Sequence, residues 1–157
     1  MLLRDLTDQG VLDGPMLETA LAQSVSDRFA LARSFVETAK ILGASGDLLV
    51  RRSAVSRAYY GAYHAARAAV FAVHRRDERD HGRVAQVVDA LLGRQGALQT
   101  ALKEFQDLRE EMHYSPYTGP DDETEYEADE IERAIGDTIR RAENLIAEFD
   151  TFLRGRK

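Results

Sequence analysis

Five side chains suited to contact an anion or a base recur at spacings of three, four, three and four along one stretch of the chain: Arg57, Tyr60, His64, Arg67 and Phe71. In a helix these positions rise along one face, with Tyr59 and Tyr63 beside it. Such a face has two uses. It can line a cleft for RNA or a nucleotide, with arginines on phosphates and rings against bases, or it can join helices through buried hydrogen bonds. Spacing alone leaves both open. In either use Tyr60, His64 and Arg67 superpose and are expected to act as one unit. A second group is Arg109 with His113, four apart, followed by Tyr114. An imidazole with a reference pKa of about 6.5 can move the proton of an RNA 2′-hydroxyl, while a guanidinium fork holds the scissile phosphate. That internal attack needs no metal. Tyr114 can stack on a base or cover the end of a bundle.

Other chemistries lack their residues. Four histidines, His64, His74, His81 and His113, are too scattered for a zinc-ligand spacing, and the chain has no cysteine. No metal and no cofactor is therefore expected. The acids from Asp121 to Glu132 lack the order of a calcium loop. GASGDLL lacks the lysine and hydroxyl residue of a phosphate loop, and no serine stands in a nucleophile-elbow context.

The elements that must position these groups are helical. Prolines 15, 116 and 120 fall outside the long periodic segments. After Pro15, Leu17, Leu21, Val25, Phe29, Ala32, Phe35 or Val36 and Ala39 draw one apolar stripe. GASGD ends it, and Ser45 or Asp47 is placed to cap a second helix over LLVRRSAVSRAYYGAYHAARAAVFAVHRR. Its alanines cover nearly every face, so it is expected at the centre, packed on several sides. Two shorter helices follow, HGRVAQVVDALLGR, opened by His81 and Gly82, and ALQTALKEFQDLREEM, with Gly93 and Gly96 between them. HYSPYTGPDDET reads as a surface loop. The last helix should start near Asp122 to Glu125 and bury Tyr126, Ile131, Ile135, Ile139, Ala142, Leu145, Ile146, Phe149 and Phe152. The expected fold is all-α, an up-and-down four-helix bundle with an additional short helix.

Length and composition agree with one domain over residues 1–157, with irregular residues 1–15 and a frayed basic tail at 154–157. Hydrophobic residues at 44% with charged residues at 31% exclude a disordered chain. The net charge of -6 argues against a protein coated in basic charge for general DNA binding. It also sets off the segment from Leu48 to Arg76, which holds Arg51, Arg52, Arg57, Arg67, Arg75 and Arg76 and no acid. Those arginines either face phosphates or pair with the acidic last helix. No apolar run reaches the roughly 18 residues of a membrane span or the form of a signal peptide, so a cytoplasmic protein without membrane association is expected.

SRAYYGAYHAARAAVFA, then HGRV, then LREEMHYSPY resemble, in order and spacing, the HEPN family, over about Leu31 to Phe152. The resemblance implies a helical bundle of four or five helices, paired as a homodimer with a cleft between protomers. It further implies an RNA- or nucleotide-interacting protein, in its catalytic form a metal-independent endoribonuclease of a toxin–antitoxin-like module. Arg109 and His113 would be the catalytic pair, and Arg57, Tyr60, His64, Arg67 and Tyr114 the RNA- or nucleotide-binding residues. The RNase members carry four to six residues between the arginine and the histidine, whereas here three, Glu110, Glu111 and Met112, intervene. The alternative is a noncatalytic protein-binding or assembly module working with a minimal nucleotidyltransferase, the antitoxin partner of such modules.

Overall fold

Helix boundaries in this chain are set by a few polar side chains and left-handed residues. In the computed structural model, which describes residues 14–114 and 128–155, five helices and no strand are present among the described residues. They are α1 (Gly14–Gly43), α2 (Leu48–His74), α3 (His81–Leu92), α4 (Ala97–Tyr114) and α5 (Ala128–Arg154). Asp47 caps α2, its carboxylate accepting from the N–H groups of Leu49 and Val50 at 2.8 and 3.3 Å. Arg75 ends α2 in the left-handed conformation, at φ 56°, which leaves Arg75 and Arg76 outside the helix expected to contain them. Gly93 ends α3 in the same way at φ 64°, where glycine carries no steric penalty.

The turn between α3 and α4 is closed by a carboxylate from the preceding helix. Asp89 of α3 is 7% exposed and accepts the N–H groups of Gly96, Leu98 and Gln99 at 2.6, 2.9 and 3.4 Å. It therefore satisfies the orphan donors at the start of α4. Burial alone would raise its pKa, but these three N–H groups reverse that and hold the carboxyl below its usual range.

The bundle is built around α2, which packs against all four other helices. Ala54, Ala58, Ala62, Ala65, Ala66, Ala68 and Ala69 are all completely buried along it, as the alanine pattern requires. Small side chains bring the neighbouring backbones close, and the tightest approach is to α1. A Cβ on Gly61 would meet Val36 Cγ2 at 2.7 Å and the carbonyl oxygen of Ala32 at 3.0 Å. From the other side α5 contributes Ile131, Ile135, Ala142, Leu145, Ile146 and Phe149 to the core. Leu98, Leu102, Phe105 and Met112 enter it from α4. The short α3 packs chiefly on α2 and α4, and is the additional helix of the bundle.

Residues 1–13, the proline-containing segment 115–127 with Tyr126 and the expected start of α5, and residues 156–157 lie outside the described residues. Among those described, no helix is long and apolar enough to cross a membrane.

Candidate nucleic-acid interface

Tyrosines, histidines and arginines from α2, the α2–α3 turn, α3 and α4 meet in one polar cluster. Its floor is Tyr59 and Tyr63, one helical turn apart on α2 and almost fully buried. The Tyr59 hydroxyl is hydrogen-bonded to Nδ1 of His81, and the His81 ring stacks on Tyr63 with centroids 3.9 Å apart and planes within 4°. Tyr63 donates its hydroxyl to the carbonyl of Arg79 at 2.7 Å. Both phenols are pushed to higher pKa by burial first of all, so both keep their protons.

Arg109 reaches this cluster from α4. Its guanidinium carbon lies 5.4 Å from the Tyr59 ring centre and 5.9 Å from that of Tyr60. Nη1 donates to the Tyr60 hydroxyl at 3.2 Å and Nη2 to a Glu110 carboxylate oxygen at 3.1 Å. Nε is buried and has no hydrogen-bond partner among the described residues. The arginine expected to bind phosphate is thus held in one orientation by two rings, a hydroxyl and a carboxylate, with 17% of its side chain exposed.

The other expected site residues divide between this cluster and a second network. Tyr60 faces Arg109. His64 stacks on Phe35 of α1, with centroids 5.2 Å apart and planes within 5°. Arg57 is exposed, and its guanidinium lies 5.9 Å from the same Phe35 ring. Arg67 turns away, donating Nη2 to both Asp77 oxygens at 2.7 and 2.9 Å and Nε to the Glu78 carbonyl at 2.8 Å. Tyr60, His64 and Arg67 therefore share a face but not a hydrogen-bonded unit, because each finds a nearer partner on a different element. His113 and Tyr114 belong to the last turn of α4, and their side chains lie outside the described residues.

The arginine-rich segment is also split. Arg51 pairs with Glu132 of the last helix at 3.1 Å, whereas Arg67 pairs with Asp77 and Arg75 with Glu18 of α1. Asp77 accepts from Arg28 as well, at 2.7 Å. Burial works to raise the Asp77 pKa, but the two guanidinium groups outweigh it and hold the carboxyl at about 2. This triad ties the α2–α3 turn to α1 and α2, and so fixes where His81 enters the cluster.

The residues not singled out from sequence are His81 and Phe35. His81 reads there only as a helix start, and Phe35 only as one option in a core stripe. A fold-independent signal for either is absent, since each acquires its role from a neighbouring helix.

Both histidines at the site are depressed in pKa. Burial is the leading cause for each, with Arg67 and Arg28 adding to it at His64 and Arg109 at His81. In the unfolded chain they take a proton near pH 6.5. The unfolded state therefore binds more protons as pH falls below that value, and stability should be lost progressively until the folded-state pKa values are passed. Asp77 adds a second loss between about pH 4 and its folded value of about 2. Urea midpoints at pH 7.5, 5.5 and 4.5 should decline stepwise. A His64→Phe, His81→Asn double variant should be flatter between the first two.

Against this geometry, the HEPN domain family model matches residues 25–148 of the chain. No curated protein and no solved structure matches it.

Proposed function

Because the chain belongs to the HEPN family, we propose that it is an RNA- or nucleotide-interacting HEPN module whose phosphate contact is centred on Arg109. The observation that carries this reading is the state of that side chain. It is oriented by Tyr59, Tyr60 and Glu110, and retains a buried N–H without an acceptor among the described residues. A buried donor left unpaired costs about 1–3 kcal/mol, which an anionic ligand would relieve. Arg57, Tyr60, His64 and Tyr114 extend the contact along the strand by charge and stacking, and Arg67 supports it through the turn it holds.

In the catalytic form of this reading, His113 takes the proton of an RNA 2′-hydroxyl. The 2′-oxygen then bonds to the adjacent phosphorus, the bond from phosphorus to the 5′-oxygen breaks, and the proton passes to that leaving oxygen. The products are a 2′,3′-cyclic phosphate and a free 5′-hydroxyl. Arg109 offsets the charge that builds on the phosphate oxygens. A homodimer sets two such groups across one cleft, and light scattering should then report a mass near twice 17.6 kDa.

A second reading is favoured by the carboxylates already on the arginines. Glu110 holds Arg109, and Asp77 holds Arg67. A noncatalytic module working with a nucleotidyltransferase partner has no need for a free guanidinium. Incubating purified protein with total RNA in chelator separates the two. The catalytic form requires cleavage to 2′,3′-cyclic ends that disappears in both His113→Ala and Arg109→Ala. Binding without cleavage leaves the noncatalytic module, and absence of both removes RNA from the proposal.

A further inference from the structure

A cavity of about 370 Å³ lies between α2, α3 and α4 and is lined by Tyr59, the ring that Arg109 also contacts. Its base is formed by Tyr59, Tyr63, Ala85 and Leu102, and its rim by His81, Gln99 and Gln106. Its size is at the lower end of small-molecule sites and suits one planar ligand rather than a helix of a partner. The charged rim residues each have an ion-pair partner within the chain, Lys103 in Asp107 and Glu104 in Arg141. What remains for a ligand is uncharged: two amides, the Thr100 hydroxyl and an imidazole over apolar carbon. The Tyr59 hydroxyl keeps its proton and shares a hydrogen bond with His81 Nδ1, and in the tautomer where the hydroxyl donates, the other ring nitrogen of His81 is an N–H donor.

The cavity and the arginine are joined by one atom. The same Glu110 carboxylate oxygen accepts from Gln106 Nε2 at 3.0 Å, on the cavity rim, and from Arg109 Nη2 at 3.1 Å. An anionic oxygen is therefore accommodated at the cavity edge between those two donors. A ligand that is planar, uncharged and polar at one end and anionic at the other matches the pair of environments.

We propose that this cavity receives the base of a ribonucleotide while its phosphate displaces Glu110 from Gln106 and Arg109. The inference rests on the RNA- or nucleotide-binding reading above and supplies its base-recognition subsite. Imidazole N–H and glutamine amides read carbonyl and ring-nitrogen edges, so the cavity contributes selectivity among bases, and Arg109 contributes sequence-independent affinity.

The test follows the His81 ring resonances by NMR while adding, separately, uridine and adenosine 5′-monophosphates, ribose 5-phosphate and a twelve-nucleotide single-stranded RNA. A nucleotide should shift His81 at a concentration at least tenfold lower than ribose 5-phosphate. Thr100→Trp, which narrows the cavity from an exposed position on α4, and Gln99→Ala should each weaken the nucleotide response at least fivefold, with thermal midpoints confirming that both variants fold. Equal responses to nucleotide and ribose 5-phosphate overturn the proposal, as does an unchanged response in both variants. RNA binding with His81 unmoved overturns the base subsite and keeps the RNA reading. A nucleotide response without RNA binding keeps the subsite and assigns it to free nucleotides.

Discussion

Replacing Gly61 with valine should cost about 3 kcal/mol, at the upper end of the range for overpacked cores. The reason is the closeness of α1. A Cβ at this position lies 2.7 Å from Val36 Cγ2 and 3.0 Å from the Ala32 carbonyl oxygen. Valine cannot rotate out of the way, because β-branching leaves it essentially one helical rotamer, and a carbonyl oxygen moves only with its backbone. Gly61→Ala is the milder case. Alanine regains about 1 kcal/mol of helix propensity, against an overpacking cost of about 1–3 kcal/mol, so a net loss of about 1 kcal/mol is expected. Val36→Ala in that background should recover part of it by relieving one of the two contacts. Gly136 on α5 supplies the opposite sign: it is exposed, and a Cβ there meets nothing within 4 Å. Gly136→Ala should therefore stabilise by about 0.5–1 kcal/mol. Urea denaturation of the four variants tests all of this, and an unchanged midpoint in Gly61→Val would refute the close crossing.

On RNA affinity, Arg109→Ala should lower binding about 10- to 100-fold, the range for a charge-assisted hydrogen bond. The slope of log affinity against log salt should also fall by about one, because one phosphate contact is lost. Glu110→Gln should act in the opposite direction. Glu110 is held below its usual pKa first by Gln106 and then by Arg109, so it is a carboxylate at neutral pH and, under the proposed function, would compete with phosphate for the same donors. Removing its charge while keeping an amide oxygen should raise affinity several-fold at low salt, with less gain at high salt. Fluorescence anisotropy on a labelled single-stranded RNA at two salt concentrations measures both variants. Parallel losses in both would mean that Glu110 orients Arg109 rather than competing with its ligand.

The helices were legible because each carried its own local marks. Asp47 at a cap, glycine at 93, prolines kept to the ends and the alanine run of α2 gave element order, and the three HEPN-like patches gave the architecture. Errors at the ends were small and local: Arg75 adopts a left-handed cap, and so stops α2 two residues before its arginine run does. The site was legible only where it lay on one helix. Tyr59, Tyr60, Tyr63 and Arg109 stood out by type and spacing. His81 did not, because its contact with Tyr59 and Tyr63 depends on how α3 is set against α2 by the Asp77 triad. The partner of Arg67 was likewise hidden. An arginine facing a loop carboxylate ten residues away reads in sequence much like an arginine facing phosphate.

The carboxylate that α3 lends to the start of α4 links the opening of the two helices. Gly96, Leu98 and Gln99 donate to Asp89 rather than to their own helix. Their exchange with deuterated solvent then requires release from that carboxylate, so protection at the start of α4 depends on α3 as well as on α4 itself. The carboxylate thus couples α3 and α4 into one unit of local opening. His81 and Arg109 sit on the two halves of that unit. Deuterium uptake at residues 96, 98 and 99 then reports on the contact between the two helices that carry His81 and Arg109.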